Sequence, residues 1–327
     1  MFLAQLDAGS RLRVRALRAS NLVSVSRALE LPLRGPRGEP VDFRRLLASH
    51  GVATLPPTSI DEEAWTLETT LRIPRGRPRT VRIHEGRRGV ALVDVIGGAT
   101  DAVVEPIRRL LNLDEDLSEF YAVAADDPAL AWAARGAGRM IRTPTVFEAV
   151  TKTICTTNLA WSGTVRMVTA LVEHLGEPAP GNHGRAFPTP EAMAEADETF
   201  YRDVARAGYR GAYLRRLAAD VAEGAVELEE LLDPELPDED VTLRLLALPG
   251  VGPYAAAHTM MLLGRHSLLI LDSWTRPKYA RLNGRKASDA QIARRFRKYG
   301  PFAGLAFWLY LTRDWVDDEP ATSTAAG

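Results

Sequence analysis

Cysteine is almost absent from this chain: 327 residues contain one, Cys155. That excludes an internal disulfide and a cysteine-held iron–sulfur cluster. Histidine is scarce too, and none sits at zinc spacing, His174 and His183 being isolated. No apolar run approaches the roughly 20 residues of a membrane helix, and no signal-peptide pattern opens the chain. No membrane partner is therefore expected. An excess of one charge is also missing, the net value being −1.

What is present is ordinary for a globular protein, with 46% hydrophobic and 25% charged residues. The length suits two or three domains around a substantial core. The neutral total hides an uneven distribution. Residues 227–240 hold eight acids and no Lys or Arg, whereas 276–298 hold nine basic residues against Asp289 alone. Such asymmetry can turn one basic face towards a phosphate backbone; solvated helix faces would give the same pattern.

In chain order, 1–20 reads as a flexible N-terminus, with Arg11, Arg13, Arg15 and Arg18 against Asp7. Residues 21–130 read as an α+β domain with a small antiparallel sheet. A helix spans Asp42–Ser49, and strand-like runs follow at Trp65–Ile73, Arg79–His84 and Val90–Val95. Their alternation suits a sheet with one wet face. A helix over about Asp101–Leu111 covers the last strand. Residues 131–316 read as helical, so the fold class is mainly α with an N-terminal α+β domain. Thr145 and Glu148 have capping-box spacing and start a helix running through Cys155. The next helix spans Leu159–His174, stopped by Gly176, and 177–183 is a Gly/Pro-rich linker. Residues 317–327 read as a disordered tail.

The most informative stretch is Leu245–His258, containing Leu-Pro-Gly-Val-Gly-Pro-Tyr. Asp240 can cap a helix that Leu243, Leu245 and Leu246 pack inward, and Pro249 ends it. Gly250 and Gly252 suit a tight hairpin, and Pro253 suits the first position of the next helix. Amides at such a helix start, backed by the positive dipole end, form a site for a phosphate. A plain helix–helix turn is the competing reading. Twenty-two positions beyond Gly250, Asp272 ends the apolar run Leu268–Leu271 and heads a helix over Ser273–Leu282. An N-cap is the ordinary role of such an aspartate.

Hairpin and aspartate together resemble the helix-hairpin-helix DNA glycosylases, over Arg139–Trp315 and more loosely before it. The resemblance implies two helical subdomains flanking a cleft, and a monomer acting on double-stranded DNA with a damaged base. It would be cytoplasmic and nucleoid-associated. Asp272 would be the catalytic carboxylate, steadying a sugar with oxocarbenium character. Gly250, Gly252 and Ala255 would meet the DNA backbone. The main-chain carbonyls of Leu246, Leu248 and Val251 would hold Na+ or K+; no other cofactor is expected, neither zinc nor an iron–sulfur cluster.

Ala149–Asn158 and Gly208–Tyr213 are similar to segments of the 8-oxoguanine branch. Asn158 would fill the gap left by an extruded nucleotide, Tyr209 would wedge into the duplex, and Arg210 would bond the widowed base. Leu159 and Ala160 depart from that branch's asparagine run. Where bifunctional members carry a nucleophilic lysine stands Tyr254, so no imine and no strand cleavage are expected. An aromatic residue there matches the bacterial alkyladenine branch, whose cationic purines suit electron-rich rings. Phe307 replaces the glutamine that reads 8-oxoguanine. Tyr254, His258, Trp274 and Phe307 are therefore the candidate base pocket, while Trp308 and Tyr310 suit either pocket or core. The expected activity is monofunctional excision of an alkylated purine. Alternatives are an oxidised-purine glycosylase without lyase activity and a non-catalytic DNA-binding protein.

Overall fold

The computed structural model describes residues 28–98 and 100–316. The expected flexible N-terminus and disordered tail lie outside these residues.

Five antiparallel strands form one sheet in the order β1-β5-β4-β3-β2. They are β1 (Leu29–Pro32), β2 (Ser59–Asp61), β3 (Thr66–Leu71), β4 (Arg79–Glu85) and β5 (Val90–Ile96). The three central strands fall where alternation placed them. The edge strands β1 and β2 are too short to show a period, and sequence reading missed them. The expected wet face is partly covered. Thr70 and Thr80 are buried with their hydroxyls 2.9 Å apart, and Thr80 donates to the His183 carbonyl at 2.8 Å. The stretch read as a free linker is thus laid against the sheet.

Helix α1 (Phe43–Leu47) is capped by Asp42, whose carboxylate accepts from the Arg45 amide. Helix α2 (Val104–Leu110) buries Ile107 and Leu110 in the sheet's core. The second core is built mainly on helices, starts in chain order with Val52 and Leu55, and takes in α3 (Ser118–Ala125). Leu113 belongs to the first core and Leu117 to the second, but Val52 and Leu55 join the second and Ile141 the first, so the two cores interleave along the chain. Then follow α4 (Val146–Thr156), α5 (Trp161–Leu175), α6 (Pro190–Glu195) and α7 (Arg210–Ala222). Thr145 caps α4 as expected, but the reciprocal half of the capping box is missing. Glu148 is buried and ion-paired to Lys152 at 2.7 Å instead.

Helices α8 (Asp238–Leu246) and α9 (Pro253–Leu262) make the hairpin. Asp240 is not the cap of α8: it lies inside the first turn, after Pro237. Of the three leucines expected inward only Leu245 is buried; Leu243 is 65% exposed and Leu246 39%. Val241, one turn before Leu245, takes the other inward place. The chain closes with α10 (Thr275–Asn283), α11 (Asp289–Phe296) and α12 (Ala303–Thr312). Among the described residues, no helix is long and apolar enough to cross a membrane.

A buried ion pair joins the two cores. Arg139 meets Glu39 at 2.9 Å, with both side chains nearly inaccessible, and donates to the carbonyls of Asn112 and Glu115. Removing one partner of such a pair leaves an uncompensated buried charge. Arg139→Ala is therefore expected to cost about 3–5 kcal/mol. Urea unfolding monitored by circular dichroism checks this, and a loss below about 1 kcal/mol would contradict it.

Candidate active site

The hairpin's geometry follows from its glycines and proline. Gly250 sits at φ 78°, the left-handed region. Gly252 does not need that freedom, lying at φ −99°, but a Cβ there would meet nothing within 4 Å, so its backbone is open. Pro253 occupies the first turn of α9. The amides of Tyr254 and Ala255 come next, at a position without intrahelical acceptors, although the Ala255 methyl is buried. Leu246, Leu248 and Val251 stand around this turn, and the Leu248 carbonyl accepts from the Val251 amide at 3.2 Å. A carbonyl keeps a second lone pair, so a monovalent cation remains compatible with this bond.

Tyr213 of α7 covers the hairpin: a Cβ at Gly250 would lie 2.8 Å from its ring. The same ring meets Tyr209 edge-on at 6.0 Å. Tyr209 is 55% exposed, and its hydroxyl accepts from the Asn158 amide at 3.3 Å. Asn158 has φ 46°, which asparagine tolerates. The structure thus brings Asn158, Tyr209 and the hairpin onto one face. Arg210 does not join them as a free donor. It is buried, its Nε donates to the Thr157 carbonyl at 2.9 Å, and its guanidinium stacks under Tyr209. It anchors the loop that carries Asn158.

Asp272 follows Ile270 and Leu271 and precedes α10. Its Oδ1 accepts the amides of Trp274 (2.8 Å) and Thr275 (2.7 Å), and its own amide donates to the Thr275 hydroxyl at 2.8 Å. The helix starts at Thr275, later than expected, because this exchange occupies residues 272–274. Oδ2 has no hydrogen bond among the described residues. Behind the loop, Gly304 of α12 donates to the His266 carbonyl at 2.7 Å, and a Cβ there would collide with the Leu268 carbonyl. The approach to Asp272 is therefore fixed from behind.

Beside Asp272 lies a narrow cavity of about 30 Å³, lined by Gly51, Val52, Trp161, Tyr254, His258, Ile270, Trp274 and Trp308. Three of the four expected pocket residues are there. Phe307 is not: it is fully buried against Tyr279 and Phe296. Its neighbour Trp308, assigned to either role from sequence, faces the cavity instead, one residue turning the helix by about 100°. Sequence reasoning missed Trp161, whose place three residues after Asn158 was the available signal. It also missed Gly51 and Val52, which no motif marks.

Burial pushes the Tyr254 phenol up to about 12, with Asp272 adding to the shift. Burial also pushes the His258 imidazole down to about 4 and that of His50, its edge-on neighbour at 6.3 Å, to about 3. Both rings are neutral near pH 7.

Of the basic residues in 276–298, Arg276, Lys278 and Lys298 pair with Asp289, Asp314 and Asp127. Arg281, Arg285, Lys286, Arg294 and Arg297 have no carboxylate partner among the described residues. In the acidic stretch, Glu229, Glu230 and Asp238 pair with Arg109, Arg244 and Arg265.

The low folded value of His258 has a sign. The unfolded chain takes up a proton as pH falls below about 6.5, and the native state cannot until about 4. Stability is full above 6.5 and declines across that interval, by about 3 kcal/mol at 1.4 kcal/mol per pH unit. Urea unfolding at pH 7 and pH 4.5 should show a larger loss for the wild type than for His258→Phe. Equal losses would contradict this.

No protein-family profile matches the chain. It is 24% identical over 263 residues to a Bacillus subtilis protein named "Putative DNA-3-methyladenine glycosylase YfjP", covering 77% of this chain and 90% of that one. It superposes on a 3-methyladenine DNA-glycosylase from Archaeoglobus fulgidus with a TM-score of 0.67 at 20% identity, covering 88% and 99%. MBOgg1 in complex with a low affinity DNA ligand gives a TM-score of 0.68 at 18% identity, covering 89% and 96%.

Proposed function

We propose that the chain is a helix-hairpin-helix DNA glycosylase, and that it is monofunctional, excising alkylated purines from duplex DNA; its likeness to a relative named as a 3-methyladenine glycosylase and to glycosylase structures supports this. The observation that carries this reading is the pinned Asp272 carboxylate beside a cavity walled by Tyr254, Trp161, Trp274 and Trp308.

The hairpin amides and the unpaired cations of α10 and α11 grip the phosphate backbone. Tyr209 and Asn158 occupy the space left when a nucleotide swings out, offsetting part of the unstacking cost. Aromatic walls receive the purine and favour a cationic one through their ring quadrupoles. As the C1′–N bond breaks, its electron pair leaves with the base, and positive charge grows on the sugar. Asp272, already held by two amides, needs no reorganisation to face that charge. Water then adds to C1′, its proton passing to the Asp272 carboxylate and on to solvent. Tyr254 supplies no amine, so no imine forms and the backbone stays intact. Na+ or K+ at the hairpin carbonyls would brace the phosphate grip.

The Asn158 and Tyr209 pair favours a second reading, an oxidised-purine glycosylase without lyase activity. The test is a panel of duplexes carrying 3-methyladenine, 7-methylguanine or 8-oxoguanine, with strand breaks scored before and after alkali. Alkylpurine release with breaks after alkali alone is expected, and Asp272→Asn should lower the rate by a factor on the order of 10² or more. Breaks before alkali would refute the role of Tyr254, and faster release of 8-oxoguanine would favour the second reading. An unchanged Asp272→Asn rate would refute the catalytic assignment. Tight binding with no release of any base would leave a non-catalytic DNA-binding protein.

A further inference from the structure

The cavity beside Asp272 contains one polar side chain whose hydrogen-bonding capacity is wholly unused. His258 is 6% exposed, and neither Nδ1 nor Nε2 has a partner. Buried polar atoms in native proteins are rarely left this way, and a specific exception calls for a cause. Its neighbours cannot supply one. His50 has both nitrogens engaged, Nε2 with the Ile141 carbonyl at 2.8 Å and Nδ1 accepting from the Ala53 amide at 3.2 Å. Those two bonds fix its tautomer, since only a protonated Nε2 can donate to a carbonyl. The Trp308 indole donates to the Ser49 carbonyl at 2.8 Å. Oδ1 of Asp272 holds two amides. Tyr254 turns its ring towards His258, the centroids 5.8 Å apart. The rest of the lining is tryptophan, aliphatic side chains and glycine.

We propose that His258 is the specificity-determining residue that reads the hydrogen-bonding edge of the everted purine, and that it accepts amino- and oxo-purines alike. This rests on the glycosylase reading above and names its substrate class. The aromatic walls can hold any flat cation but cannot tell one edge from another. A neutral imidazole has one N–H and one lone pair, and it exchanges them by changing tautomer. His258 lines the cavity, and both of its nitrogens are free to bond a base seated there. In one tautomer a given nitrogen accepts from an exocyclic amine, as adenine-type lesions present. In the other it donates to a carbonyl, as guanine-type lesions present. Because the ring is uncharged near neutral pH, it does not repel a cationic purine. A lysine or arginine here would repel it, and a glutamine would present donor and acceptor on fixed, separate atoms.

The test compares the wild type with His258→Phe, which keeps a ring of similar size and loses both polar atoms, and with His258→Asn, which restores a donor and an acceptor. Two readouts are used. One is kcat/KM on duplexes carrying 3-methyladenine or 7-methylguanine. The other is quenching of the cavity tryptophans by free 3-methyladenine and free 7-methylguanine, which needs no catalysis. His258→Phe is expected to lose tenfold or more in kcat/KM on both lesions and to bind both free bases tenfold more weakly, with His258→Asn closer to the wild type on both. Should the phenylalanine variant not fold, His258→Leu repeats the comparison. Values for the apolar variant within twofold of the wild type would overturn the proposal, and a loss confined to one lesion would overturn the tautomer argument. Failure of the underlying glycosylase reading looks different: the wild type itself would then release neither base.

Discussion

Two amides and one carboxylate oxygen hold the centre of this molecule. Oδ1 of Asp272 accepts from Trp274 and Thr275, and the Thr275 hydroxyl returns a bond to the Asp272 amide. A hydrogen bond to a charged group is worth more than a neutral one, and here three bonds close within four residues. They fix where α10 begins, and with it the ring of Trp274, which packs on Trp308 and Trp315 at 5.7 and 5.8 Å. The aromatic wall and the acid are therefore positioned by the same exchange. Gly304 supports it from behind, since α12 can approach the preceding run only where no side chain intervenes.

The parts of the site that sequence revealed were those whose residue type is dictated by backbone geometry. Gly250 needs a positive φ, Pro253 fits a helix start, and the polar residue after an apolar run caps the next element. The parts that stayed hidden depend on which face of a helix looks inward. Helix α12 is apolar all round, so nothing in Phe307-Trp308 tells which ring meets the cavity and which meets Tyr279. The same uncertainty misplaced Leu243 and Leu246. Gly51 and Val52 come from a distant part of the chain and carry no local pattern. In the fold, β3 to β5 were legible because alternation over six or seven residues separates inside from outside. β1 and β2, of four and three residues, give too few positions.

The charge distribution has a structural counterpart. Three acids of the 227–240 stretch are neutralised within the protein by Arg109, Arg244 and Arg265, two of them from outside the hairpin's first helix. Several arginines and lysines of α10, α11 and their connection have no such partner. A net charge near zero thus coexists with one face that still carries uncompensated positive charge, and a single total would have concealed it.

Arg139 also decides what a proteolytic nick near residue 115 or 130 would do. Its guanidinium, in the helical half, is matched by a carboxylate in the sheet half and by two carbonyls of the crossing segment. Severed halves would each expose apolar surface and one naked ion. Neither fragment has a counter-ion of its own at that place, so the halves gain by re-associating, and complementation between them would be tight. The sheet half is accordingly no detachable appendage, and the turn between α1 and β2 donates Gly51 and Val52 to the cavity wall besides.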